Sequence, residues 1–295
     1  MKHYAAFFCL AGLLLAAGIG CGSQHIPNSS AGSNRSVVNQ LAAPNETRNK
    51  STPNEAINKF EDKQINKTPK EWAEKVSGVK TRLATNDKVI ALTFDACGGA
   101  AGSQYDQKLI EYLTAEKIPA TLFINSRWID ANPDIFLQLS RNNLFEIANH
   151  GTQHKPLSVN GKTAYGIKGT GSIEEVKEEV LVNEQKILKL TGRKPKFFRP
   201  GTAFADEIAV SVVEDLGEEV VGFNILGDAG ATFSRTQIRQ SCLRASPGSI
   251  IIFHMNHPES ETLAGIKEVI PELRKKGFRF VKLGDYPLEC GDHGK

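Results

Sequence analysis

The stretch Val89-Ile90-Ala91-Leu92-Thr93-Phe94-Asp95 is a short run of apolar and β-branched residues that ends in a carboxylate. A run of this length and composition is typical of a strand that is buried on both faces, as in a parallel sheet. Strand-like and helix-like segments alternate from this run to the end of the chain. The alternation predicts an α/β fold with a parallel sheet, either open or closed into a barrel.

The remaining elements follow from the spacing of the apolar residues. In the longest helix-like segment, Val176, Val180 and Ile187 form one apolar stripe. Between the strand-like and helix-like segments, residues 155–171 carry several glycines and no apolar period, which predicts a long loop of the kind that is commonly functional. Helices are predicted over residues 105–116, 133–142 and 173–190, and strands over residues 120–124, 144–148, 197–198, 220–223, 249–253 and 278–281.

Polar residues stand where four of the predicted strands end. They are Asp95, His150, Arg199 and His254. In α/β folds the carboxyl ends of the strands carry the chemistry, because the backbone opens into loops there while the strands hold the side chains rigidly. These side chains are therefore candidates for one functional site.

Two histidines stand four residues apart in His150-Gly151-Thr152-Gln153-His154. If this segment is one helical turn, the two rings lie on the same side, with Cβ atoms roughly 5 to 6 Å apart. That spacing would allow both imidazoles to bind one divalent cation. The same two histidines could also belong to an ordinary polar loop.

The order of these residues, an Asp, a His-x-x-x-His pair, an Arg and a final His, resembles the polysaccharide deacetylases of carbohydrate esterase family 4. The resemblance covers residues 86–285 and implies a distorted (β/α) barrel with about seven parallel strands. It also implies a hydrolase that removes N-acetyl groups from a glycan. The sequence does not distinguish peptidoglycan from other N-acetylated polysaccharides.

The resemblance assigns roles to the individual residues. A divalent metal ion, zinc being the expected one, would be bound by His150 and His154, and Asp95 would be the general base. Arg199 would hold the Asp95 carboxylate in place. The remaining roles are those of His254 as general acid and of Asp228, in Gly227-Asp228-Ala229-Gly230, as the carboxylate that orients it.

The chain departs from the family pattern at the third metal ligand. Ala96 stands where the family has a second Asp, and a catalytic zinc site normally has three protein ligands. Asp95 could complete the site together with His150 and His154, which is the ligand set we expect. Cys97 could instead supply a thiolate, or the protein could be a catalytically degenerate lipoprotein that binds glycan without turnover.

Other motifs depart less. The segment Arg199-Pro200-Gly201 lacks a second Pro, no Trp follows Asp228, and Ile252 replaces a Leu before His254. The first of these changes alters the shape of a loop but keeps the guanidinium. The second makes the role of Asp228 the weakest of the assignments.

The amino-terminal part of the chain predicts export and anchoring. Residues 1–21 have a basic start, an apolar core too short to span a bilayer, and the sequence Gly18-Ile19-Gly20-Cys21, which is similar to a lipoprotein processing site. Residues 22–75 are rich in Asn, Ser and Lys and predict a disordered tether. The folded domain is expected over residues 76–295. We therefore expect an extracytoplasmic lipoprotein that is held at the membrane by a lipid on Cys21.

Charge and cysteine content limit the remaining possibilities. The net charge is +3 and both signs are mixed along the chain, so nucleic acid is not an expected partner. After processing, Cys97, Cys242 and Cys290 remain. Outside the cytoplasm these could form one disulfide and leave one free thiol, but the sequence does not choose the pair.

Overall fold

The computed structural model describes residues 68–291. The predicted signal segment, the processing site at Cys21 and the tether up to residue 67 lie outside the described residues. Within residues 68–291 the chain forms twelve short strands and seven α-helices. None of the helices in this range combines the length and the apolar character needed to cross a bilayer.

The elements have the following bounds. The strands are β1 (Arg82–Leu83), β2 (Val89–Ala96), β3 (Ala120–Ile124), β4 (Phe145–Asn149), β5 (Thr163–Ala164), β6 (Ile167–Lys168), β7 (Phe197–Phe198), β8 (Glu219–Val220), β9 (Ile225–Leu226), β10 (Ser249–His254), β11 (Arg279–Val281) and β12 (Leu288–Glu289). The helices are α1 (Gln107–Ala115), α2 (Ser126–Ala131), α3 (Pro133–Arg141), α4 (Ile173–Thr191), α5 (Glu207–Asp215), α6 (Arg235–Cys242) and α7 (Thr262–Lys275).

The main sheet is strongly curled and mostly parallel. Its strands follow the order β12-β1-β10-β2-β3-β4-β7-β8, with β11 beside β2 and β9 beside β10. The segment from β8 to β9 pairs with β7 at its start and with β10 at its end. Of the paired strands, β1 runs antiparallel to both of its neighbours, β10 and β12. The predicted α/β fold class is confirmed, and the sheet forms a curled half-barrel.

Strand β2 separates two cores, because successive side chains of a strand point to opposite faces. Residues Ile90, Leu92, Phe94 and Ala96 belong to the core between the sheet and the helices, together with residues of α1, α2 and α7. Val89 and Ala91 belong to the core inside the curl of the sheet. One face of β2 therefore packs against the helices, and the other faces the inside of the curled sheet, where the strand ends at the site.

The connection between His150 and His154 differs from the prediction of a helical turn. The residues from His150 to His154 are a loop, with Gly151 at φ 76° and His154 at φ 59°. Positive φ angles do not occur in a right-handed helix, and the glycine permits the first of them at little cost. The prediction of the local conformation was wrong, although the two rings still meet.

Other elements were missed by the sequence analysis. Helix α2 begins where the Asn125 side chain accepts a hydrogen bond from the backbone N–H of Arg127, at 3.1 Å. The predicted loop over residues 155–171 contains the hairpin of β5 and β6, whose turn is Tyr165-Gly166 with φ angles of 50° and 77°. These elements are too short to show an apolar period.

The last residues of the predicted tether lie against the domain. Ala73 pairs with Ala205, and the backbone N–H groups of Lys70 and Glu71 bind the Glu207 carboxylate at 2.7 and 2.9 Å. Residues 68–75 therefore contribute to the surface of the folded unit.

Ala96 is fully buried on the helix-facing side of β2. We predict that Ala96→Asp destabilises the protein by about 3 kcal/mol or more, because it buries a charge that has no partner in an apolar core. Thermal and urea unfolding measure this change, with Ala96→Ser as the neutral control of similar size. Unchanged stability in Ala96→Asp would contradict the assignment of this side chain to the core.

Candidate active site

A buried ion pair lies at the inner face of the curled sheet. The Nη1 atom of Arg199 donates to the Oδ1 atom of Asp95 at 2.7 Å and to the Thr93 hydroxyl at 3.0 Å. The remaining guanidinium nitrogens donate to the backbone carbonyls of Val221 and Gly222 at 3.0 and 2.9 Å. Every side of this buried guanidinium is occupied, so it holds the Asp95 carboxylate in one orientation.

The Asp95 carboxyl is ionised at neutral pH. Burial alone would raise its pKa, but the charge of Arg199 and its hydrogen bond to the carboxylate lower the pKa below the usual value. The second carboxylate oxygen, Oδ2, lies 3.6 Å from Nε2 of His150. Asp95 therefore presents an unprotonated oxygen to the space beside the histidines.

His150 directly follows β4 and is fixed by one hydrogen bond. Its Nδ1 lies 2.8 Å from the backbone carbonyl oxygen of Arg199, which can only accept, so Nδ1 carries the proton. Burial lowers the pKa of His150 although Asp95 opposes this, which keeps the ring neutral. The lone pair is then on Nε2, the atom that faces Asp95, as in metal-binding histidines whose other nitrogen donates to a carbonyl.

His154 lies against His150 although the loop between them is not helical. The ring centroids are 4.8 Å apart and the ring planes meet at 83°. Burial, followed by the proximity of His150, lowers the pKa of His154 to about 3, so this ring is also neutral. Gly201 lies against the backbone of His154 so closely that no side chain fits there. The Arg199-Pro200-Gly201 segment thus positions the second histidine as well as the ion pair.

Cys97 lies beside the two histidines. Its Sγ atom lies 3.8 Å from Nε2 of His150, and one ligand atom from each of Cys97, His150 and His154 lies within 4.8 Å of the other two. In a tetrahedral zinc site with bonds of about 2.3 Å to sulfur and 2.0–2.1 Å to nitrogen, these atoms would be about 3.5 Å apart. The donor set and its spacing therefore fit a metal ion. Asp95, the expected third ligand, is not in this group among the described residues and gives one oxygen to Arg199.

His254 and Asp228 form a second pair, and His254 lies beside Asp95 in the register of β10 and β2. Nδ1 of His254 lies 2.8 Å from Oδ1 of Asp228, and Oδ2 of Asp228 accepts the backbone N–H of His254 at 2.8 Å and the Thr262 hydroxyl at 3.0 Å. Burial alone would lower the pKa of His254, but the Asp228 carboxylate raises the pKa above the usual value. Asp228 thus contacts both the ring and the backbone of His254, which is the contact that its predicted role requires.

Four of the site residues line one cleft of about 410 Å³, namely Asp95, Cys97, His154 and His254. The cleft is also lined by Tyr165, which is 75% exposed at the turn of the β5 and β6 hairpin. The Tyr165 hydroxyl donates to Glu74 at 3.0 Å, and its ring lies edge-on to Phe204 with centroids 5.5 Å apart.

Comparison with known proteins agrees with this geometry. Residues 82–221 match the family described as polysaccharide deacetylase. Over this range, which is just under half of its length, the chain is similar to polysaccharide deacetylases. A peptidoglycan-N-acetylglucosamine deacetylase of Bacillus cereus is 23% identical over 211 residues, which are 70% of this chain and 92% of the relative. A second Bacillus cereus protein of that name is 25% identical over 220 residues, which are 73% of this chain and 74% of the relative.

Solved structures of this esterase family share the fold. The crystal structure of a pseudoenzyme from Bacillus anthracis has a TM-score of 0.60 at 21% identity, with 72% of this chain and 69% of that chain covered. The Bacillus subtilis carbohydrate esterase PdaA has a TM-score of 0.58 at 19% identity, with coverages of 78% and 88%. One of these structures is that of a pseudoenzyme, so the shared fold by itself does not decide whether this chain is active.

The structure brings together all of the predicted site residues and adds others. Cys97 was considered only as an alternative, although the alternation of β2 places it on the same face as Asp95. Tyr165 and Glu74 were missed, because neither belongs to a periodic segment. Among the described residues Cys97, Cys242 and Cys290 are all free, so the structure does not support a disulfide between any two of them.

We predict that Asp228→Asn lowers the pKa of His254, because the carboxylate that raises it is replaced by a neutral amide. The imidazole resonances of His254 in NMR spectra recorded against pH measure this pKa. A pKa that stays the same or rises in the variant would contradict the assignment.

Proposed function

We propose that this protein is a metal-dependent hydrolase that removes N-acetyl groups from an extracytoplasmic glycan, namely peptidoglycan or a related polymer of N-acetylglucosamine. One observation carries the proposal: a carboxylate held by Arg199 and an imidazole held by Asp228 lie with a group of metal-ligand side chains at one cleft. The pair of Arg199 and Asp95 keeps a carboxylate unprotonated, and the pair of Asp228 and His254 favours a protonated imidazole.

The reaction needs a nucleophilic water, a stabilised oxyanion and a proton for the leaving amine. A divalent ion held by His150 and His154 would lower the pKa of a water toward about 7 and would polarise the acetyl carbonyl. Asp95 accepts the proton of the attacking water as the carbon–oxygen bond forms. His254 donates a proton from Nε2 to the sugar nitrogen as the carbon–nitrogen bond breaks, which releases acetate and the free amine.

The two pKa shifts supply the acid and the base in the same pH range. The lowered pKa of Asp95 keeps the base available at and below neutral pH, and the raised pKa of His254 keeps the acid protonated to a higher pH than an ordinary histidine. Environments that push the pKa values of two groups apart are a general feature of acid–base sites. Activity should therefore fall on the alkaline side when His254 loses its proton.

The cleft also supports a sugar polymer as substrate. Tyr165 presents an exposed ring at its edge, and aromatic side chains offer an apolar surface with a polar tip for recognition of such ligands. The Glu74 carboxylate, bound to the Tyr165 hydroxyl, limits the motion of this ring. The relatives whose names include peptidoglycan-N-acetylglucosamine deacetylase favour that glycan among the N-acetylated polysaccharides.

Acetate release tests the proposal directly. The full-length chain loaded with zinc should release acetate from N-acetylglucosamine oligomers or from peptidoglycan. Asp95→Asn and His254→Ala should each lower kcat by about 10²- to 10⁴-fold, because each removes one proton-transfer group. The matched control is His257→Ala, since that histidine contacts Glu259 and lies outside the group of residues assigned here.

Two outcomes would contradict the proposal. Zinc-loaded protein that binds the oligomers without releasing acetate would identify a glycan-binding protein without turnover. An equal loss of activity in His257→Ala and His254→Ala would remove the specific role of His254.

The same proposal includes a membrane anchor. We propose that a lipid on Cys21, in Gly18-Ile19-Gly20-Cys21, holds the protein at the outer side of the membrane. Cys21→Ser should move the protein from the membrane fraction to the soluble fraction or stall its processing, and leave acetate release unchanged. Soluble wild-type protein without a lipid adduct in mass spectrometry would show that the anchor is wrong.

A further inference from the structure

We infer that Cys97 is the third protein ligand of the metal ion, so that the site is formed by one thiolate and two imidazoles. The inference deepens the proposed function and rests on it, because it concerns the same site. It identifies a third ligand for a site whose strand carries no second carboxylate at position 96. It also predicts the kind of metal that this site prefers.

The side chains of β2 alternate between the helix-facing core and the inner face that carries the cleft. Alternate residues of this strand lie in the helix-facing core as far as Ala96, whose backbone pairs regularly with Ile124. A carboxylate at position 96 would therefore enter the apolar core. Cys97 follows Ala96 and lies on the cleft side with Asp95, as its place in the cleft lining shows.

The backbone at Cys97 is held by the turn that follows it and by a hydrogen bond from Arg127. The next residue, Gly98, has φ 71° and packs so closely on the backbone of Trp128 that no side chain fits there. The Gly98 N–H donates to the Gly102 carbonyl at 2.9 Å, which closes a tight turn. Arg127 donates to the Cys97 carbonyl at 3.4 Å. The thiol is thus held at the cleft by its own segment.

The sulfur of Cys97 lies close to the metal-binding nitrogen of His150. The separation of 3.8 Å between Sγ of Cys97 and Nε2 of His150 needs to shorten by only about 0.3 Å to match a tetrahedral zinc site. The Nδ1 atom of His150 already donates to the Arg199 carbonyl, so the lone pair of Nε2 is available to bind the metal ion. The separations within the group extend up to 4.8 Å, so the widest of them would shorten by about 1.3 Å when a tetrahedral ion binds.

The other roles of a cysteine do not account for Cys97. It forms no disulfide in the described structure, and it is partly exposed at the cleft, whereas Cys242 is buried among apolar residues of the core. A cysteine that only filled space would belong to the core. Cys97 is also not a lone thiol, because His150 and His154 lie close enough to serve as two further ligands.

A thiolate ligand changes the chemistry of the site relative to a carboxylate. Sulfur favours zinc and cobalt over manganese and magnesium, which prefer oxygen ligands. Binding should also release the thiol proton, because only the thiolate coordinates. Asp95 meanwhile keeps its bond to Arg199 and remains free to act as the base.

Cobalt substitution tests the inference independently of activity. The full-length chain loaded with Co²⁺ should show a sulfur-to-cobalt charge-transfer band in the near ultraviolet. Cys97→Ser should abolish the band and weaken cobalt and zinc binding by at least about tenfold. Cys97→Asp should bind cobalt without the band, because an oxygen replaces the sulfur. The matched control is Cys290→Ser, an exposed cysteine whose loss should leave the band unchanged.

Asp95→Asn separates the two candidate ligands. Because Asp95 is not a ligand in this account, the variant should keep the charge-transfer band and most of its metal affinity. A band that persists in Cys97→Ser, or metal binding that is kept in Cys97→Ser but lost in an Asp95→Asn variant that circular dichroism shows to be folded, would overturn the inference. Cys97→Asp, checked by circular dichroism, keeps the test valid if Cys97→Ser does not fold. A protein that binds cobalt through Cys97 but releases no acetate would contradict the proposed function and leave this inference standing.

Discussion

The buried pair of Arg199 and Asp95 is the interaction on which the site depends. The Arg199 side chain connects β2 to the segment after β8 through its bonds to Asp95, Val221 and Gly222. Its backbone carbonyl selects the tautomer of His150. Loss of one partner of such a pair leaves a buried charge and costs about 3–5 kcal/mol, so the base and the histidines are tied to the stability of the fold.

The alternation of β2 is the second constraint, and it explains how the chain tolerates Ala96. An alanine at this position suits the helix-facing core, where it is fully buried with Phe94 and Trp128. The inner face keeps Asp95 for proton transfer and continues to Cys97. Asp95 would then serve proton transfer and Cys97 metal binding. The base therefore does not also have to bind the metal ion.

Much of this arrangement could be predicted from the sequence. The alternation of apolar runs gives the fold class, and the polar residues at strand ends, Asp95, His150, Arg199 and His254, mark the site because the carboxyl ends of parallel strands meet at one edge. The conformation of the loop from His150 to His154 could not be predicted, since its two residues with positive φ, Gly151 and His154, pack against distant parts of the chain, Glu179 and Gly201 respectively.

The roles of Cys97 and Tyr165 show a different limit. The period of two in β2 already indicated that Cys97 shares a face with Asp95, but only the fold brings the sulfur to within 3.8 Å of His150. Tyr165 stands in a glycine-containing segment without any period, and its place at the cleft arises from the β5 and β6 hairpin and from Glu74, which is distant in sequence. Neither contact is encoded locally.

X-ray diffraction of zinc-loaded crystals, with data recorded on both sides of the zinc absorption edge, tests the central claim most directly. The account predicts one anomalous peak bonded to Sγ of Cys97 at about 2.3 Å and to His150 and His154 at about 2.0–2.1 Å, with a free fourth position facing Asp95. A zinc ion bound by an Asp95 oxygen, with Cys97 outside bonding distance, would contradict it.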